Sequence, residues 1–116
     1  MEALDLTRNC RSAAALLKTM ANEHRLAVLC HLATGESSAG ELTAAIGLSQ
    51  SALSQHLARL RDDGLVTTRR ASQQIFYSLA SAEVLRIMET LHGIYCTSAA
   101  PAPAPDPRPT PEEASP

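Results

Sequence analysis

The first hundred residues of this chain contain no proline, since all seven prolines lie between Pro101 and Pro116. No apolar run approaches the ~20 residues that a helix needs to span a membrane. The N-terminal segment MEALDLTRNC has acidic residues and no apolar stretch, so it does not look like a signal peptide. We therefore expect a cytoplasmic protein without a membrane partner, built from segments that no proline interrupts.

Cysteine is also scarce, and Cys10, Cys30 and Cys96 lie far apart in the sequence. In a reducing compartment, three separate cysteines do not make a structural disulfide framework. The absence of a C-x-x-C pair argues against a zinc knuckle and against a thioredoxin-like enzyme. A thiol enzyme would also need a second catalytic cluster, and the chain lacks one. We predict a protein that is not an enzyme and carries no cofactor.

An excess of positive charge is missing too. The net charge is -2, and the segment after residue 96 accounts for it with three acidic residues and one arginine. The rest of the chain is neutral and lacks the broad basic signature of many DNA-binding proteins. A local basic cluster is nevertheless present between positions 59 and 70: Arg59, Arg61, Arg69 and Arg70.

Composition divides the chain at residue 96. The segment 97–116 is rich in proline and alanine and has almost no large apolar side chain. Such a segment cannot bury enough surface to offset the entropy lost on ordering. We predict one folded domain over residues 1–96 and a disordered tail over 97–116. A domain this small gains stability by pairing with a second copy of itself.

Two helices are predicted over residues 11–20 and 22–35, where helix formers dominate and no breaker intervenes. In the second of these helices, Leu26, Leu29 and Cys30 recur at helical spacing. The spacing predicts that Cys30 lies on the apolar face of this helix.

A second pair of helices follows, joined by a tight connection. Ser38 and Glu41 match the capping box of a short helix, which Gly47 would end. Ser49 would then cap a longer helix. The inward stripe of that helix consists of leucines: Leu53, Leu57 and Leu60.

The pattern changes after residue 64. LVTTRR and QQIFYSL are rich in β-branched and aromatic residues and are separated by Ala71 and Ser72, which predicts a β-hairpin. Residues 81–96 return to helical spacing. The fold class is therefore mainly α with a β-hairpin wing, a winged helix-turn-helix.

In this arrangement, the second helix of the helix-turn-helix enters the major groove of double-stranded DNA. Glutamine and arginine make bidentate contacts to purines, and hydroxyls contact bases or phosphates. The candidate contacts on this helix are Ser49, Gln50, Ser51, Ser54, Gln55, His56 and Arg59, and those on the wing are Arg69 and Arg70. The alternative is a solvated helix face, which is the commoner meaning of such a pattern outside a helix-turn-helix.

The segments LKTMANEHRLAVLCHLATGE, AGELTAAIGLSQSALSQHLARLRDDGLVTTRR and IFYSLAS resemble the ArsR family of dimeric winged-helix repressors, from about Ala13 to Cys96. The resemblance implies a recognition helix over Ser51–Asp63 and a wing around Ala71. It also implies a homodimer formed by the first and last helices and bound to an inverted-repeat operator. One departure is the wing turn, where Ala71 and Ser72 stand in place of the family's frequent glycine.

Many members of this family sense metals, but this chain lacks most of the residues that bind the metal in those members. Where the arsenic and cadmium sensors have a C-x-C pair, this chain has Ser38 and Gly40. On the last helix it offers only Glu83 and His92, with Tyr95 near them. A metal needs a compact shell of about four ligands. We predict no metal site, and a metal(loid)-responsive repressor remains an alternative.

Cys30 and Cys96, with their neighbours VLC and IYC, resemble the two cysteines of the persulfide- and redox-sensing branch, the SqrR, BigR and HlyU-like repressors. The resemblance implies that reactive sulfur species persulfidate one thiol and that the other attacks it. A di- or polysulfide bridge then forms and the operator is released. A general oxidant-responsive regulator and a constitutive DNA-binding module that senses nothing remain alternatives.

The thiolate is the reactive form of cysteine. Cys96 would lie at a helix C-terminus, where the helix dipole disfavours negative charge. A protonated His92, one turn earlier, would offset this effect, so we take His92 as a possible modulator, with an ordinary surface histidine as the alternative. Cys10 is predicted to be dispensable.

Overall fold

A computed structural model describes residue 7 and residues 9–96 of the chain. Its elements are α1 Cys10–Met20, α2 Glu23–Leu32, β1 Ser37–Ser38, α3 Ala39–Ile46, α4 Gln50–Asp62, β2 Val66–Ala71, β3 Gln74–Leu79 and α5 Ala82–Tyr95. This order confirms the predicted fold of mainly helices with a β-hairpin wing. Among the described residues, no helix combines the length and apolarity needed to cross a membrane. The segment 97–116, predicted to be disordered, lies outside the described residues.

Polar side chains and one glycine set the boundaries of the helix-turn-helix. The capping box predicted at the start of α3 is present, because Ser38 Oγ accepts from the backbone N–H of Glu41 and the Glu41 carboxylate accepts from the N–H of Ser38. Gly47 ends α3 with φ of 85°, a conformation that costs a side chain-bearing residue about 1–2 kcal/mol. Ser49 Oγ then accepts from the backbone of Ala52 and begins α4.

The core lies where the helices meet the inner face of the hairpin. The predicted leucine stripe of α4 is buried, with Leu53, Leu57 and Leu60 at most 3% exposed. Burying this stripe fixes the rotation of α4 about its axis and turns its polar side chains outward. The other core residues are Met20, Val28, Leu29, Leu32, Leu42, Leu65, Val66, Val84 and Met88.

The three strands form an antiparallel sheet in the order β1-β3-β2. Ala71 pairs with Gln74, so the loop of the hairpin consists of Ser72 and Gln73. The prediction that Ala71 lies in the turn is therefore wrong, since this residue completes β2. Ser72 carries a φ of 57°, the conformation that glycine adopts at lower cost.

The apolar faces of α2 and α5 are only partly buried in the core. On α2, Val28 and Leu29 are buried and Cys30 is exposed, so Cys30 lies at the edge of the apolar face rather than within it. On α5, Met88 is 5% exposed and Tyr95 is 76% exposed. The last turns of α5 therefore project beyond the core of a single chain.

Candidate DNA-binding face and thiol site

The outward face of α4 carries the candidate DNA contacts. Six of the seven predicted side chains at this helix are exposed: Ser49, Gln50, Ser51, Ser54, Gln55 and Arg59. They lie opposite the buried leucines, as the helical period predicts. Exposed amides, hydroxyls and a guanidinium on the second helix of a helix-turn-helix can reach base edges in a major groove.

His56 has a different environment from these six. Its side chain is half-buried, and its ring centroid lies 5.6 Å from that of His24 on α2, with a 40° angle between the rings. Burial, followed by the positive charges of Arg25 and His24, lowers the pKa of His56. His56 therefore joins α4 to α2, and its role as a DNA contact stays a prediction.

Arg59 is held by Asp63, one turn further along the chain. The Arg59 Nε–H donates to Asp63 Oδ2 at 2.7 Å, and the Thr19 hydroxyl on α1 donates to the same oxygen at 2.5 Å. These two hydrogen bonds, Thr19 first, lower the pKa of Asp63. No sequence pattern predicts the contact between Thr19 and Asp63, because the two residues are 44 positions apart.

The two wing arginines differ in their partners. Arg69 donates two hydrogen bonds to the Glu36 carboxylate, at 2.7 and 2.8 Å, and its guanidinium lies 4.8 Å from the centroid of the Phe76 ring. The hydrogen bonds with Glu36 raise the pKa of Arg69, and those from Arg69 lower that of Glu36. Arg70 is exposed and forms no ion pair with another described residue, so its charge is available to phosphate.

The thiols of Cys30 and Cys96 line the same groove. It has a volume of about 300 Å³ and runs between α2 and the end of α5. Leu26, Met88 and Leu91 give it a mainly apolar wall. Both cysteines are free and exposed. The fold thus brings to one groove two cysteines that lie 66 positions apart in the sequence.

His92 adjoins both cysteines. It lines the groove that contains Cys30 and Cys96, and it also lines a second cavity that includes Cys30. The backbone N–H of Cys96 donates to the carbonyl of His92 at 2.8 Å, which makes Cys96 the C-terminal cap of α5. Cys96 therefore lies at the negative end of a helix dipole, as the sequence predicts.

The positions considered for metal binding stay apart from one another. Across residues 9–96, no three histidine, cysteine, aspartate or glutamate side chains lie close enough to hold a metal ion. Ser38 and Gly40, at the start of α3, supply no thiolate.

A helix-turn-helix with a polar outward face and an adjoining hairpin defines a winged-helix DNA-binding protein. Residues 22–68 match the profile of the bacterial regulatory protein, arsR family. The chain is 53% identical over 96 residues to the transcriptional activator HlyU of Vibrio cholerae serotype O1, covering 83% of this chain and 89% of that protein. It is 45% identical over 91 residues to the biofilm growth-associated repressor of Agrobacterium fabrum, covering 78% of each. The chain belongs to the ArsR family, and the relatives that it matches are transcriptional regulators.

Solved structures agree with this assignment. Reduced HlyU from Vibrio cholerae N16961 superposes with a TM-score of 0.77 at 54% identity, covering 80% of this chain and 98% of that one. The repressor BigR from Xylella fastidiosa gives a TM-score of 0.79 at 41% identity, covering 84% and 99%. The homodimeric winged helix-turn-helix domain of Mb0332 from Mycobacterium bovis gives 0.69 at 26% identity, covering 81% and 86%. Winged-helix regulators, at least one of them homodimeric, therefore share this fold.

Proposed function

We propose that this protein is a homodimeric cytoplasmic repressor that binds an inverted-repeat operator and releases it when reactive sulfur species bridge Cys30 and Cys96. The observation that carries the proposal is the shared groove, because two exposed thiols from different helices line it together. Two of the similar proteins are named as repressors, which supports repression here. A third is named as an activator, and displacement of another DNA-binding protein would give that outcome from the same operator binding.

For DNA binding, we assign base contacts to the exposed face of α4 and a phosphate contact to the wing. Gln50 and Gln55 carry amides suited to adenine, and Arg59 carries a guanidinium suited to guanine. Arg70 would hold the backbone of the duplex. The polar face of α4 supports base readout, and the charge of Arg70, which pairs with no other described residue, supports the phosphate contact.

The proposed sensing step transfers one sulfur atom to one thiol or to both. A cysteine thiolate attacks the outer sulfur of a low-molecular-weight persulfide, which gives a cysteine persulfide and releases the thiolate of the donor. The second cysteine can then attack the inner sulfur of that persulfide, forming a disulfide and expelling hydrosulfide. If both cysteines are persulfidated, the terminal sulfur of one attacks the inner sulfur of the other, which gives a trisulfide and again expels hydrosulfide.

Extra sulfur atoms matter because a disulfide demands Cβ atoms about 3.5–4.5 Å apart, whereas a longer bridge spans a wider gap. The proposal therefore takes a persulfide, rather than peroxide, as the inducer. The bridge would tie α2 to the end of α5 and shift the recognition helices relative to the dimer axis. A symmetric dimer that binds two half-sites needs a fixed spacing between its recognition helices, so a small shift releases the operator.

The test measures intact mass and operator binding on the same samples. Reduced protein is treated with an organic persulfide or, separately, with hydrogen peroxide. We expect persulfide to produce a Cys30 to Cys96 crosslink that carries additional sulfur, together with loss of operator binding. His92→Ala should slow the modification of Cys96, because it removes the imidazole that, when protonated, would favour the Cys96 thiolate, and an unchanged rate would remove His92 from the proposal.

Cys10 supplies the matched control, since it is exposed on α1 and does not line the groove. Cys10→Ser should respond as the wild type does, whereas Cys30→Ser and Cys96→Ser should stay on the operator. Operator affinity indifferent to both reagents would contradict the sensing proposal and leave a constitutive DNA-binding protein.

A general oxidant-responsive dithiol regulator is the second candidate. One structural relative is described as reduced HlyU, which supports a redox-responsive thiol site as the alternative here. For this chain, a plain disulfide formed by peroxide with equal loss of DNA binding would favour that candidate.

A further inference from the structure

Three helices of the domain meet at one chain of hydrogen bonds. Thr19 on α1 is 2% exposed, and its hydroxyl donates to Asp63 at the end of α4 at 2.5 Å. The carbonyl of Thr19 accepts from the Arg25 Nε of α2 at 2.6 Å. Arg59 on α4 donates to the same oxygen of Asp63 at 2.7 Å. A buried residue of α1 therefore holds both α2 and the end of the recognition helix.

Asp63 occupies a position that local helix energetics disfavour. It is the C-terminal cap of α4, where the helix dipole repels a carboxylate. The donors from Thr19 and Arg59 offset this repulsion and lower the pKa of Asp63. Because the backbone of α4 offers a carboxylate nothing favourable at this position, its favourable contacts are those with the side chains of Thr19 and Arg59.

We infer that Asp63 is a positioning residue for operator recognition. It anchors the recognition helix to α1 through Thr19, and it orients Arg59 by occupying that side chain's Nε–H. The terminal nitrogens of Arg59 keep their four N–H donors for DNA. The inference rests on the DNA-binding part of the proposed function and is independent of cysteine sensing.

Charge alone predicts the opposite effect for this residue. Removing a carboxylate from a DNA-binding surface reduces repulsion of phosphate and should strengthen binding. Asp62 provides the comparison, because it is an exposed carboxylate beside Asp63 that forms no ion pair with another described residue. If Asp63 positions Arg59 and α4, its loss weakens operator binding although the net charge changes equally in both variants.

The experiment compares Asp63→Ala with Asp62→Ala in the full chain. The probes are a duplex selected by the wild type from a random library and a scrambled duplex of equal length. We expect Asp62→Ala to bind both duplexes as tightly as the wild type or slightly more tightly. Asp63→Ala should lose about fivefold to tenfold in affinity for the selected duplex, the scale of one net hydrogen bond, and much less for the scrambled one.

Two variants of Thr19 test the anchor without changing charge. Thr19→Val keeps the shape of the buried side chain and removes the donor, and Thr19→Ser keeps the donor. Thr19→Val should reproduce the selective loss seen in Asp63→Ala, and Thr19→Ser should retain wild-type discrimination, with unfolding curves checking that each variant folds.

Several outcomes would overturn the inference. Binding by Asp63→Ala that matches or exceeds the wild type would leave only the charge effect. Equal losses on both duplexes in folded protein would indicate a non-specific role. A wild-type protein that selects no duplex would instead contradict the proposed DNA-binding function, so the two failures are distinguishable.

Discussion

The packing of His56 against α2 makes the stability of the domain depend on pH. Burial and the positive charges of Arg25 and His24 lower the pKa of His56 in the folded chain below the ordinary value of 6.5. As pH falls through 6.5, the ordinary pKa, His56 takes up a proton in the unfolded chain before it does so in the folded chain. The free energy of unfolding therefore decreases as the solution is acidified from about pH 7, and the loss continues until the pKa of the folded state is passed.

His56→Gln should flatten this dependence, since glutamine does not titrate. We expect the variant to lose less unfolding free energy than the wild type between pH 8 and pH 5.5, measured by urea denaturation at several pH values. At pH 8, where histidine is neutral, any difference between the two proteins reports packing alone. The lowered pKa values of Asp63 and Glu36 act only below this range. Parallel stability curves would show that His56 is not the residue responsible.

For individual residues, the sequence predicted which side chains point outward but not which partners they contact. The helical period placed Ser54 and Gln55 outside and Leu53 inside, because a buried stripe fixes helix rotation. The sequence could not indicate that Arg69 hydrogen-bonds to Glu36, since the two residues are 33 positions apart and are brought together only by the sheet. Such long-range hydrogen bonds have no local sequence pattern.

The recognition helix and the wing should contribute differently to binding. Gln55 is exposed on α4, and an amide there reads bases, so Gln55→Ala should weaken operator binding much more than binding to random DNA. Arg70 lies on β2 and meets phosphate, so Arg70→Ala should weaken both and reduce the salt slope of the affinity by about one unit per contact.

Titrations of the selected and scrambled duplexes at several salt concentrations measure both effects. Thr67→Ala, an exposed neutral change on the same strand as Arg70, is the control for the wing. Equal losses from Gln55→Ala and Arg70→Ala on both duplexes, with one common salt slope, would contradict these separate roles.

The elements themselves were largely predictable, because their ends carry strong local signals. The capping box at Ser38 and the left-handed Gly47 are such signals, and both are present. Strand β1 was not predicted, since two residues have no period and the strand exists only through its pairing with Tyr77 and Phe76. The wing turn was misplaced by one residue, because Ser72 adopts a left-handed conformation that a glycine would have indicated.

At the scale of the whole molecule, apolar surface collects on the two helices at the ends of the domain. Among the described residues, the large apolar side chains with the greatest exposure are Leu17 on α1, at 55%, and Ile94 and Tyr95 on α5, at 63% and 76%. Large apolar side chains left exposed on the first and last helices indicate an interaction surface. These are the helices that the family resemblance implies for the homodimer, and one structural neighbour is described as homodimeric.

We expect Ile94→Glu to convert the protein to a monomer, because a charge placed in a desolvated apolar interface is left unpaired. Sedimentation equilibrium would show this directly, and Ala44→Glu, an exposed change on α3, should leave the dimer intact. Loss of pairing also removes the gain from binding two half-sites at once, so operator affinity should fall by at least about a hundredfold. The loss on an isolated half-site should be small, since a monomer keeps its recognition helix. An Ile94→Glu protein that stays dimeric would place the interface elsewhere. A monomer with undiminished operator affinity would contradict recognition of the operator by a symmetric dimer.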